Sequence, residues 1–202
     1  MNNNLFKVSV IALFASIICI GCFMRIPIGP VPIVLQNALC ILTACILGNF
    51  LAVLPVLIFM TAGLIGLPVF SGGTGGIAVF AGPTGGFLAG YVLGALVCGL
   101  ISGKPSISEK KHQKAKILKI SMAVIIGMLI IYIPGIIHFT NWAIKTNKVP
   151  SNISAFSFTF KTCVLPYIPG DIIKMIIIIP VAVKIRPLIA HYLYSTEKKN
   201  YD

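Results

Sequence analysis

Acidic residues are scarce in this chain. Only four of 202 residues are Asp or Glu, and charged residues make up 10% of the total. Glu109 lies in a Lys-rich loop and Glu197 and Asp202 in the C-terminal tail, so Asp171 is the one acid inside an apolar run. A pair of carboxylates for acid-base catalysis is therefore missing. There is no His-Glu-x-x-His and no Ser with a well-placed His, which leaves a hydrolytic enzyme without its parts. Gly-Lys-Ser/Thr does not close any glycine-rich stretch, and no Gly-x-Gly-x-x-Gly joins a soluble strand to a helix. The chain thus brings no ATPase site of its own. The net charge of +12 comes without a recognisable nucleic-acid-binding module, so no nucleic-acid partner is expected. Six cysteines, at 19, 22, 40, 45, 98 and 163, lack clustered His or acidic partners and read as small core residues, with no metal site and no cofactor implied. Cys19-Ile20-Gly21-Cys22 has a CxxC spacing without a thioredoxin-like context.

Hydrophobic sequence is abundant, at 57% of residues, with a mean hydropathy of +1.00. That composition defines an integral membrane protein forming one unit over residues 1–202. Apolar runs of spanning length predict an all-α bundle of six transmembrane helices, at about 6–24, 33–48, 50–67, 86–103, 117–140 and 170–188. The first run follows Lys7 and resembles a lipoprotein signal peptide, but the further spans make it a first transmembrane helix.

Basic residues set the orientation. With the N-terminus cytoplasmic, the inner side receives Lys7, the cluster Lys104, Lys110, Lys111, Lys114, Lys116 and Lys119, and then Lys184, Arg186, Lys198 and Lys199. The outer side receives Arg25, Lys145, Lys148 and Lys161. This bias places both termini in the cytoplasm and the start of the last span on the outside of the cell membrane.

Along the chain, Ala12 and Ser16 lie one turn apart on the first helix, and Ala15 and Cys19 repeat the spacing. Small residues at that interval let another helix approach closely, within the chain or from a partner subunit. The proline-rich segment Arg25–Pro32 is an outer loop, and Gln36 follows it, bonding to a neighbouring helix or facing a cavity. Pro68 to Gly86 holds the local repeat Gly-Gly-Thr-Gly-Gly and Gly-Pro-Thr-Gly-Gly around an apolar centre, Ile77 to Phe80. Uncharged irregular backbone at membrane depth must be buried in protein or line a cavity, so this glycine-rich loop reads as a folded-over outer cap. Tyr91 could reach the same cavity. Tyr132 and Trp142 read as interface anchors and His138 as a structural residue. Residues 141–169, with Phe156, Phe158 and Phe160, read as an outer segment over the bundle.

The sharpest signal is Pro169-Gly170-Asp171-Ile172-Ile173-Lys174. Pro-Gly ends an extended segment, and Asp171 suits the N-cap or first turn of the helix that follows. Lys174 stands on the same face three residues on. An ionisable residue inside a membrane segment costs about 2.5 to 3.5 kcal/mol, so it reads as functional by default. Two readings stand open: a self-neutralising i,i+3 ion pair, or a half-site offering an acceptor and a cation to one polar ligand.

Three stretches carry a family resemblance: Pro30 with Val31 to Gln36, Gly66 to Gly90 with its Gly-Leu-Pro-Val-Phe and Gly-Pro-Thr-Gly-Gly-Phe motifs, and Leu165 to Lys174. Together with six spans in order, they resemble the BioY family, the biotin-specific substrate-binding S components of energy-coupling factor transporters. The resemblance implies a six-helix bundle that binds biotin at its outer face. It also implies a membrane coupling subunit and two cytoplasmic ATPase subunits as partners. In such families the small-residue face of the first helix meets the coupling subunit, a face that Ala12 and Ser16 match loosely. The resemblance places Asp171 and Lys174 in the biotin site. Chemically, Asp171 suits the ureido N–H groups and Lys174 the carboxylate. Phe70, Phe80 and Thr84 of the apolar loop would cover the bicycle, with Gln36 and Tyr91 as further polar contributors. A stand-alone biotin carrier, acting without ATPase subunits, is the alternative.

Overall fold

The computed structural model describes residues 3–27, 30–106 and 113–194. Readings that rest on Ile28, Gly29, residues 107–112 with Lys110 and Lys111, and residues 195–202 lie outside the described residues. Helix α1, Asn3–Ile20, ends in a 3₁₀ turn at Gly21–Phe23. A short antiparallel hairpin follows, β1 Arg25–Ile26 with β2 Ile33–Val34, pairing Arg25 with Val34 and Ile26 with Ile33. Then come α2 (Gln36–Leu47), a 3₁₀ turn Asn49–Ala52, α3 (Leu54–Leu64), α4 (Ala78–Ala81), α5 (Gly85–Ser102), α6 (Gln113–Lys145), α7 (Ala155–Cys163) and α8 (Ile168–Tyr194).

Among the described residues, three helical stretches are long and apolar enough to cross a membrane: Leu5–Phe23, Gly85–Ser102 and Lys114–Lys145. The protein is thus a mostly helical, multi-pass membrane protein. Helices α2 and α3 are shorter than the runs expected at 33–48 and 50–67. At 12 and 11 residues they rise only about 18 and 17 Å, against a hydrocarbon core of about 30 Å. Hydropathy alone could not see the reason. Ile33 and Val34 are spent on strand β2, and the chain turns at Gly48, whose φ of +65° favours glycine.

Helix α2 is the centre of the bundle. Ala38, Cys40, Ile41, Ala44, Cys45 and Ile46 are all fully buried, so this helix is covered on every side, and its uniform apolarity is that of a core helix rather than a lipid-facing one. Helices α5 and α6 lie against each other through glycine. A Cβ on Gly90 would stand 2.6 Å from Ile131 O, and one on Gly94 2.6 Å from Gly127 O. Small residues at this interval let two membrane helices approach to backbone contact.

Arg186, counted above among the inner-side basic residues, is buried inside α8 at 1% exposure. It donates to Cys45 O, to Ser102 O at 2.7 Å and to Gly103 O at 2.6 Å, at the C-terminal ends of α2 and α5. A cation there meets the negative ends of two helix dipoles. The cysteines are free and packed in the core, Cys19 half-buried. The alternating Phe156, Phe158 and Phe160 sit on helix α7, so Phe156 and Phe160 stack on its outer side while Phe158 packs inward on Phe139.

Candidate functional site

The start of α8 differs from its expected form. Pro169 and Gly170 lie within the helix, whose first turn begins at Ile168, and the Asp171 N–H already bonds to Tyr167 O at 2.9 Å. Proline is compatible here because the first helical N–H groups have no partner to lose. Asp171 is therefore a first-turn residue and not the cap, still near the positive end of the helix dipole.

Asp171 and Lys174 are bonded to each other, Nζ to Oδ1 at 2.9 Å. The self-neutralising pair is thus formed, and it also borders a hollow. A cavity of about 230 Å³ reaches from this pair to the β1–β2 hairpin and the glycine-rich loop. Asn37, the second residue of α2, bridges both charges: its Nδ2 donates to Asp171 Oδ1 at 3.1 Å, and its Oδ1 accepts from Lys174 Nζ at 3.0 Å. Tyr132 of α6 donates to Asp171 Oδ2. An ionised carboxylate has about four acceptor positions. Three are filled, which leaves about one for a ligand donor.

Gln36 is 1% exposed and lines the same cavity. Its Nε2 donates to Ile18 O at 3.3 Å and Val69 O at 2.7 Å, so the amide is oriented by two carbonyls. Gln36 Oε1 and Ser71 Oγ are buried without partners among the described residues. Each such atom costs about 1–3 kcal/mol, a cost that a polar ligand group would offset.

The apolar wall comes from the loop. Phe70 is 1% exposed, edge-on to Phe59 at 5.5 Å and to Phe80 at 5.9 Å, and its ring lies over Gly63, where a Cβ would stand 2.1 Å from it. Any larger residue at 63 would push Phe70 into the cavity. Of the residues read as ligand contacts, Asp171, Lys174, Gln36, Tyr91, Phe70 and Thr84 all line the cavity. Phe80 does not; it packs behind Phe70. The loop is closed at its exit by His138, which donates to Gly82 O at 2.8 Å and so keeps a structural role.

Sequence reasoning missed Asn37, Tyr132, Tyr167 and Arg25 as cavity residues. Tyr132, read as an interface anchor, is instead a partner of Asp171. Tyr167 donates to Val31 O, and burial pushes its hydroxyl up to about 12, so it remains a donor at physiological pH. Arg25 lies over Gly72, whose φ is +79° and where a Cβ would stand 2.1 Å from the guanidinium. The adjacency of Asn37 to Gln36 was the one local signal available. On α1, Ala12 and Ser16 are exposed while Ala15 is buried, so the first pair faces outward and the second serves internal packing.

A cavity with charged and amide side chains on one side and aromatic residues in its loop wall has, in a helical membrane protein, the make-up of a small-molecule site. The model of the BioY family matches residues 1–191, and the chain belongs to that family. It is 35% identical over 174 residues to the biotin transporter BioY of Rhodobacter capsulatus, covering 85% of this chain and 88% of that protein. The biotin transporter BioY of Thermotoga maritima is 34% identical over 176 residues, covering 87% and 93%. Among solved structures, the S-component for biotin from an ECF-type ABC transporter superposes with a TM-score of 0.72 at 28% identity, covering 92% of this chain and 94% of that one.

Proposed function

We propose that this chain is the high-affinity biotin-binding subunit of an ATP-coupled vitamin uptake transporter. The observation that carries the reading is the cavity floored by Asp171, Lys174, Asn37 and Tyr132. Biotin offers two ureido N–H donors, a ureido carbonyl, an apolar bicycle and a carboxylate. The remaining acceptor position of Asp171 and the unpartnered Gln36 Oε1 suit the N–H groups. The Lys174 ammonium has one donor left after Asp171 and Asn37, and that donor suits the carboxylate. Phe70, Tyr91 and Thr84 cover the apolar part.

In this reading the six passes are α1, α2, α3, α5, α6 and α8, with strand β2 extending α2 and the 3₁₀ turn Asn49–Ala52 extending α3, the glycine-rich loop outside and both termini cytoplasmic. The energy comes from two cytoplasmic ATPase subunits through a membrane coupling subunit, which meets the outward-facing Ala12 and Ser16 of α1. The chain is a non-catalytic subunit, and biotin is its cargo rather than a cofactor. Titration of the purified protein with a panel of vitamins tests the ligand: biotin is expected to bind far more tightly than the rest, and equal weak binding of all would end the proposal. Reconstitution of the single chain in liposomes tests the partners. Fast biotin uptake without ATPase subunits would favour a stand-alone carrier.

A further inference from the structure

A second hollow lies behind the ligand cavity, on the outer surface of the bundle. It is a groove of about 110 Å³ between α6 and α8, with Met128, Leu129, Ile172 and Met175 in its lining and Tyr132 and Asp171 at its inner end. Tyr132 and Asp171 line the ligand cavity as well. Their hydrogen bond is thus a shared wall between the two hollows.

The rim is built of large aliphatic side chains that the protein leaves uncovered: Leu129 is 61% exposed, Ile172 47%, Ile125 43% and Ile168 40%. Helix α6 is among those long and apolar enough to cross a membrane, so this rim belongs to the surface that lipid covers. Met128 and Met175 are unbranched and adapt to whatever fills the space. A transmembrane helix, about 10–12 Å across with its side chains, could place only a side chain in so small a hollow, whereas a single hydrocarbon chain can enter it.

We infer that this groove is a binding site for one acyl chain of a membrane lipid, and that the seated chain backs the Tyr132–Asp171 hydrogen bond of the ligand site. Water kept from the outer side of that bond leaves it in a less polar medium, where it is stronger. Bilayers whose chains cannot enter the groove remove this support and weaken ligand binding. The lipid site stands on the groove alone; its effect on biotin affinity rests on the proposed function.

The test uses the full chain in phosphatidylcholine nanodiscs containing a phosphatidylcholine with a mid-chain diazirine, irradiated without biotin and mapped by peptide mass spectrometry. Adducts at Met128, Leu129, Ile172 and Met175 are expected to exceed by about fivefold, a ratio equivalent to about 1 kcal/mol, those at Leu13 and Leu118, which are 59% and 64% exposed. Leu129→Trp, which fills the groove, is expected to abolish the excess. Adducts spread evenly over α1, α6 and α8, or an excess that survives Leu129→Trp, would overturn the lipid site. Biotin titration of the unmodified chain supplies the second arm. Binding is expected to be about fivefold weaker in bilayers of methyl-branched phytanoyl chains than of straight chains. Equal affinity would overturn the coupling while leaving the lipid site in place. Absence of biotin binding in every lipid would end the biotin reading and the coupling together, and the adduct map would still decide the groove.

Discussion

Helix α8 carries a half-buried cation, Lys174, and a fully buried one, Arg186, twelve positions and so about 18 Å apart along its axis. Both sit where charge is costly, yet their surroundings differ. Lys174 is held by the side chains of Asp171 and Asn37 beside a cavity. Arg186 donates to the main-chain carbonyls of Cys45, Ser102 and Gly103, and it lines neither of the hollows described above. Side-chain partners rotate and exchange bonds with a ligand. Carbonyls at helix ends are fixed by the fold. A charge buried in a membrane protein is therefore functional by default only until its partners are known. Here one cation lines the proposed ligand cavity and the other is a clasp that joins the far ends of α2, α5 and α8.

The largest effect expected from this contrast is on stability. Arg186→Met loses bonds to three carbonyls and is expected to destabilise the protein by about 3 kcal/mol or more, read as a fall in melting temperature in detergent. Biotin affinity of the folded fraction should stay near wild type. A large affinity loss without a stability loss would break the distinction. Asp171→Asn gives the converse result: one to two decades of biotin affinity, or about 1.5–3 kcal/mol for a charge-assisted hydrogen bond, measured by titration.

Lys174→Met sharpens the assignment within the site. A loss of about tenfold for biotin is expected, about 1.4 kcal/mol, with a smaller loss for biotin amide. Equal losses for the two ligands would mean that Lys174 serves to orient Asp171 and does not meet the carboxylate. Tyr132→Phe is the mildest change. It removes one hydrogen bond to Asp171 while keeping the ring against Phe87. A loss of about fivefold in affinity, near 1 kcal/mol, is expected in calorimetric titration.

How far the sequence could be read differs by residue. Asp171 and Lys174 stood out because ionisable groups are rare in apolar runs, and their three-residue spacing put them on one face. Gln36 was visible as a polar side chain near the start of an apolar run. Asn37 and Tyr132 were not, because each is polar enough to be ordinary near a membrane boundary, and their partner lies 134 and 39 residues away. Phe80 was assigned to the cavity from its place in an apolar loop, but which of two neighbouring phenylalanines faces inward depends on the ring that fills the space over Gly63. The short helices α2 and α3 were overestimated because a hydropathy run counts strand and turn residues together with helix.

The sequence by itself determined the membrane class and the acid and base on one turn of the last helix. Composition and short-range spacing carry those facts, since a hydrocarbon surround and a 3.6-residue period act on every chain alike. Tertiary structure alone decided that the paired charges are bridged by Asn37 and that Asp171 also accepts from Tyr132, that a cavity lies beside them, and that Arg186 belongs to the core. Those outcomes depend on which side chains and carbonyls from distant segments arrive at the same place, and contact between segments is set by packing.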